Sequence, residues 1–183
     1  VENGITFVKP LKEYPLNIEL TINNDINVVE GEIVKLKSIR QEKDSVIVKV
    51  IEKIGHKNSP DIDTLKVMAE LGVPTGFSPE TKEEVKSIPG EISDKDFIGR
   101  KDLTEEMIFT IDGIDTKDID DAVGLKVLDN GNYLLNVSIA DVTNYVKWNS
   151  SLFNDAYLKG NSTYMADRVE PMLPVELSNG ICS

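Results

Sequence analysis

Apolar residues alternate with polar ones, or gather in short runs, at residues 5–8, 16–20, 33–36 and 46–51, the patterns of short β-strands. Pro10, Pro15, Asn23-Asn24-Asp25 and Glu30-Gly31 separate the runs and read as turns. The four runs suit a small barrel or sandwich, and an OB barrel requires five strands, so a first strand is expected upstream of Val1. His56, just past the last run, reads as an exposed loop residue.

The pattern changes at residue 58. Ser59-Pro60 reads as a cap and first helical residue, Ile62, Leu65, Met68 and Leu71 follow at helical spacing, and Gly72 ends the helix. Ser78-Pro79 opens a second short helix with Val85 and Ile88, closed by Pro89-Gly90. Strands resume at 107–111, 122–128 and 133–139, the last two joined through Asn130-Gly131, a strong hairpin signal. Leu152, Phe153, Ala156 and Tyr157 then mark one helix face before Gly160.

The expected organisation is an α+β chain: a partial, OB-like β domain at 1–57, a helical connector at 58–100, and a second β-rich region at 101–183. Its 183 residues are 40% hydrophobic and 28% charged, which fits a folded chain with a core. No apolar run approaches the ~20 residues of a membrane helix, and no signal peptide opens the chain. Since Val1 is not an initiator Met, the sequence reads as a piece of a longer protein. One cysteine, Cys182, excludes an internal disulfide and a zinc ribbon and agrees with a reducing cytoplasm, the expected location.

The net charge of -12 is unevenly spread. Residues 1–57 carry nine basic and nine acidic side chains, 58–100 five and nine, and 101–183 six and fourteen. Bulk charge argues against a nucleic-acid partner, unless metal ions neutralise the acidic groups. With a single histidine, HExxH chemistry is also excluded.

Five aspartates, Asp112, Asp115, Asp118, Asp120 and Asp121, stand within ten residues between two apolar strands. If four converge at separations of about 5–6 Å, each pair repels by roughly 3 kcal/mol at an effective dielectric near 20. Convergence then demands cations or protonation; splaying into water beyond about 8–10 Å leaves an ordinary solvated loop. Ile119 and Ala122-Val123 interleave with the acids and argue for a loop held in place. An EF-hand loop started at Asp118 has Val123 where Gly belongs, and one started at Asp112 has Ile114 at position three, so neither register fits calcium. Carboxylates without that pattern suit Mg²⁺ or Mn²⁺, and paired divalent ions hydrolyse phosphodiesters with no catalytic histidine.

Four segments carry a resemblance: Thr-Ile-Asp-Gly-Ile-Asp-Thr-Lys-Asp-Ile-Asp-Asp-Ala-Val at 110–123, Val-Ser-Ile-Ala-Asp-Val-Thr-Asn-Tyr-Val at 137–146, Gly-Asn-Ser-Thr-Tyr at 160–164, and Pro-Met-Leu-Pro-Val-Glu-Leu-Ser-Asn-Gly-Ile-Cys-Ser at 171–183. Together, in this order, they resemble the opening of the catalytic domain of the ribonuclease R and ribonuclease II family. The resemblance implies a processive 3′→5′ exoribonuclease that hydrolyses single-stranded RNA, not DNA, with Mg²⁺ (Mn²⁺ as a substitute) and releases nucleoside 5′-monophosphates. It places the metal-holding, catalytic aspartates on Asp112, Asp118, Asp120 and Asp121, and an RNA-stacking tyrosine on Tyr164.

Asp115 and Asp141 lie in matching segments without a metal role; Asp141 reads as the start of the next helix. The early strands resemble the family's second cold-shock-like OB barrel, with Phe7 the only aromatic in its strand. The family's catalytic domain also continues beyond Ser183, and its later part supplies further RNA-gripping residues, so the 183 residues alone are expected to be inactive. The rival reading is a catalytically silent RNA-binding or scaffolding module.

Overall fold

The structure, a computed structural model, describes residues 8–20 and 26–183, and the chain divides into two compact units, 1–73 and 74–183. The strand expected at 5–8 lies largely outside the described residues.

In the first unit, β1 (Asn17–Leu20), β2 (Glu32–Gln41) and β3 (Ser45–His56) form a sheet in the order β1-β3-β2. β1 runs parallel to β3 and β2 antiparallel to it. Val46, Val48 and Val50 point one way along β3 and are buried, as a period of two requires. β2 and β3 extend past their apolar runs because the register between them shifts after Ile33, Lys35 and Ser38; each irregularity breaks the alternation that marks a strand.

His56 is not a loop residue: it ends β3 half-buried, and its Nδ1 accepts the Asn58 N–H at 3.2 Å. Gly31 faces it with φ +87°, and a Cβ there would stand 2.5 Å from His56 Nε2, so both backbone and space call for glycine. α1 (Ile62–Leu71) lies against β3. It starts at Ile62 after Asp61 and not at Pro60, because a turn from Ser59 O to the Ile62 N–H precedes it. Gly72 ends it in the left-handed conformation, as expected.

In the second unit, β4 (Ile108–Phe109), β5 (Asp121–Val127) and β6 (Tyr133–Ile139) form an antiparallel sheet in that order. Gly124 lets β4 approach β5, since a Cβ would meet Met107 O at 2.8 Å. β4 is shorter than its apolar run because the chain leaves the ladder at Thr110. α2 (Pro79–Val85) and α3 (Ser151–Lys159) are capped by Ser78 and Ser150, whose hydroxyls accept the Thr81 and Phe153 N–H groups. Each cap satisfies a donor the helix leaves open. The core gathers Leu152, Leu173, Leu177 and Cys182, with Val85, Ile88 and Tyr145 against it.

A charged strut braces this core. Lys159 Nζ is almost fully buried and donates to Glu170 Oε1 at 2.7 Å and to Pro74 O at 3.0 Å. Glu170 Oε1 also accepts the Gly76 N–H. The sheet is less well covered: Phe109, Leu125, Val127, Tyr133, Leu135, Val137 and Ile139 are all exposed. Register places them on one face, with Asp121 at its end. No helix among the described residues is long and apolar enough to cross a membrane.

Candidate functional site

The acidic segment, residues 110–121, leaves β4 and re-enters the sheet at β5. Its far side is fixed by backbone: Asp120 O accepts the Ala140 N–H at 3.0 Å and Asp121 pairs with Ile139. The bond continues the β5–β6 ladder by one residue, and with the Asp121–Ile139 pairing it holds the backbone of Asp120 and Asp121 at the end of the sheet. Both line a cleft of about 470 Å³ whose other walls include Thr110, Asp141, Tyr145 and Cys182.

The aspartates act on one another. Desolvation by the surrounding protein, followed by the negative charges of Asp118, Asp121 and Asp112, pushes the Asp120 carboxyl above the usual aspartate range. Asp118 Oδ2 accepts the Tyr164 hydroxyl at 3.0 Å, and this bond together with the Asp118 charge holds the Tyr164 phenol above its ordinary value. All five candidate residues, Asp112, Asp118, Asp120, Asp121 and Tyr164, therefore belong to one electrostatic neighbourhood. Asp115 sits on the exposed turn closed by the Thr116 N–H on Gly113 O, and no bond joins it to the group.

Asp141, in the wall of the same cleft, has a cation for a partner. It precedes the one-turn helix Val142–Asn144 and accepts Arg100 NH2 at 2.5 Å on Oδ2 and the Thr143 hydroxyl on Oδ1. The Arg100 bond, then the Thr143 bond, keeps its carboxyl below the usual range. This agrees with the helix-start role read from the sequence. Arg100 itself was not singled out there: 41 residues separate it from Asp141, and no local pattern announces such a pair. Burial, then Asp141 and Asp120, pushes the nearby Cys182 thiol up, and its side chain packs in the core beside Leu152, Leu173 and Leu177.

The donor set has the chemistry of a hard divalent cation: carboxylate oxygens, with the charges of Asp118, Asp121 and Asp112 acting on Asp120. Among the described residues, no three His, Cys, Asp or Glu side chains stand close enough to hold an ion together. Magnesium keeps much of its water and often takes only one or two carboxylates beside substrate phosphates. The residues fit such an ion without forming a finished cage.

A short sheet, a connecting helical segment and an aspartate loop closed by a tyrosine define the chain as the opening of an RNB domain joined to a cold shock domain. Residues 100–183 match the RNB domain and residues 7–78 a cold shock domain. The chain belongs to the ribonuclease R and ribonuclease II family. It is 46% identical over 157 residues to ribonuclease R of Thermotoga maritima, covering 85% of this chain and 22% of that protein. With ribonuclease R 1 of Lactococcus lactis it shares 48% identity over 134 residues, 73% of this chain and 16% of that one.

Among solved structures, the Mycoplasma genitalium RNase R in complex with double-stranded RNA matches with a TM-score of 0.77 at 26% identity, over 92% of this chain and 30% of that one. Yeast Ssd1, described as a pseudonuclease, shares the fold with a TM-score of 0.60 at 16% identity, over 81% of this chain and 19% of that one. The chain thus spans about a quarter or less of the length of these two curated relatives. Since the fold also occurs in a pseudonuclease, activity has to be argued from the site.

Proposed function

We propose that this chain supplies the metal-holding face of a processive 3′→5′ exoribonuclease that shortens single-stranded RNA to nucleoside 5′-monophosphates. The observation that carries the reading is that Asp120 lines the cleft with Asp121 and feels the negative charges of Asp118, Asp121 and Asp112, while Tyr164 is bonded to Asp118. In this reading the four aspartates hold Mg²⁺, or Mn²⁺ in its place. A bound divalent ion supplies an activated water and stabilises the leaving oxygen at phosphorus.

The chain's own residues do the rest. The ladder bond at Asp120 and the sheet pairing of Asp121 fix the backbone that carries two carboxylates at the cleft, so little main-chain reorganisation accompanies substrate entry. Tyr164, exposed on β7 (Thr163–Tyr164), offers its ring to the terminal base, and stacking is tolerant of base identity. The proposal takes RNA over DNA as substrate and the cytoplasm as location, in keeping with one buried cysteine.

A titration of Mg²⁺ and Mn²⁺ into a protein of the relatives' full length that contains this chain, following mononucleotide release from single-stranded RNA, tests the reading. Metal-dependent release is expected; no release with either ion contradicts it. A silent RNA-binding module is the second reading, favoured because, among the described residues, no three carboxylates stand close enough to share an ion. On either reading the 183 residues alone release little or no mononucleotide.

A further inference from the structure

The segment that carries Asp118 is gripped from outside the loop. Ser183 Oγ accepts the Ile119 N–H at 2.8 Å and donates to Lys117 O at 2.8 Å. One hydroxyl thus satisfies the backbone groups on both sides of Asp118, using its donor and its acceptor at once. The hydroxyl is presented from a firm base. Cys182, the residue before it, is buried in the core beside Leu177, its N–H bonds Leu177 O at 3.0 Å, and the Ser183 N–H bonds Gly180 O at 3.0 Å.

The opposite side of the same aspartate is held by Tyr164, and the next acid, Asp120, by the ladder bond to Ala140. Among the described residues, Lys117 O and the Ile119 N–H make no other backbone bond, and the nearest backbone turn closes at Thr116. Without the serine, residues 117–119 would be held only by the Tyr164 bond to the Asp118 side chain and by the sheet beyond them.

We infer that Ser183 is a positioning residue for the metal-holding loop: its hydroxyl fixes the backbone on both sides of Asp118, so that this carboxylate is aimed before an ion arrives. The inference rests on the proposed metal role of the aspartates. The contact ties the loop to the hydrophobic core 64 residues away in sequence. Groups that orient metal-holding side chains change metal affinity by about 10–100-fold when removed.

The test compares the parent chain with Ser183→Ala, Ser183→Thr and Asp120→Asn, reading Mn²⁺ affinity by the loss of the free-ion EPR signal and amide hydrogen exchange at Ile119. Ser183→Ala is expected to weaken Mn²⁺ binding about 10-fold and to speed Ile119 exchange about 5-fold, the effect of one lost hydrogen bond. Ser183→Thr, which keeps the hydroxyl, restores both, whereas a merely structural serine leaves the Mn²⁺ affinity unmoved. Equal Mn²⁺ affinity in the parent and Ser183→Ala overturns the inference. If the parent and Asp120→Asn bind Mn²⁺ alike, the metal reading fails instead, and unchanged Ile119 exchange in Ser183→Ala then overturns the clamp by itself.

Discussion

Tyr164 donates its hydroxyl hydrogen to Asp118 Oδ2 at 3.0 Å, so the ring proposed to meet the RNA base and a carboxylate proposed to hold metal share one bond. The two assigned tasks are separable by substitution. Tyr164→Phe keeps the ring and loses the bond; Tyr164→Ala loses both. RNA affinity in the active protein is expected to survive Tyr164→Phe within about 3-fold. It should fall in Tyr164→Ala by the ~1–3 kcal/mol that base stacking contributes. Fluorescence anisotropy with labelled single-stranded RNA reads both, and equal loss in the two variants would assign the effect to the hydroxyl.

Asp120 sits at the opposite extreme from Asp141, and its stability effect has the opposite sign. Because its carboxyl is pushed up by desolvation and by three neighbouring negative charges, ionising it opposes folding. The contribution is absent below the ordinary aspartate value of about 3.9 and grows as pH rises from there through the raised folded-state value. Asp120→Asn is therefore expected to melt above the parent at pH 7 in chelator, with the gain shrinking toward pH 3. A variant that melts below the parent at pH 7 would show that the carboxylates do not strain the loop.

For Asp141 the direction reverses. Arg100 lowers its carboxyl, so the pair stabilises the chain above about pH 3.9, the ordinary aspartate value, and the contribution is lost as pH falls through the lower folded-state value. Arg100→Gln should destabilise at pH 7 and lose its effect in acid. Both side chains are well exposed, so the change is small. Thermal melts at pH 7 and pH 2.5 check it.

Removing the amine of the buried strut should cost far more. Lys159→Ala leaves Glu170 mostly buried against a lost partner, and breaking such a pair destabilises by about 3–5 kcal/mol. Urea denaturation gives the number; a loss under 1 kcal/mol would mean that water already shares the site.

The sheet face of Leu125, Val127, Tyr133, Leu135 and Val137 is open in this chain, and apolar surface of this kind promotes association. The 183-residue chain is expected to self-associate at micromolar concentration, and Leu125→Lys with Leu135→Glu to reduce it. Sedimentation velocity distinguishes the outcomes, an unchanged monomer in the parent being the contrary one.

Much of this arrangement was legible along the sequence because its signals are local. Ser78-Pro79 marked α2, Gly160 closed α3, and Asn130-Gly131 turned β5 into β6. Strand lengths were not legible where register shifts between β2 and β3 scramble the alternation, and β4 was over-extended because Thr110 and Ile111 continue its apolar pattern outside the ladder. The aspartates announced themselves by spacing, whereas Arg100 and Ser183 act through partners 41 and 64 residues away. A two-residue pairing such as Thr163–Tyr164 with Val169–Glu170 has no period to detect.

The most direct test of the central claim is single-turnover hydrolysis of 3′-accessible single-stranded RNA by the active protein and its Asp120→Asn variant, with RNA affinity measured alongside. The account predicts that mononucleotide release disappears in the variant while RNA affinity stays within about 3-fold of the parent, a small change beside the factor of ten that ~1.4 kcal/mol represents. Release at the parent's rate by Asp120→Asn would contradict it and return the acidic loop to a solvated turn.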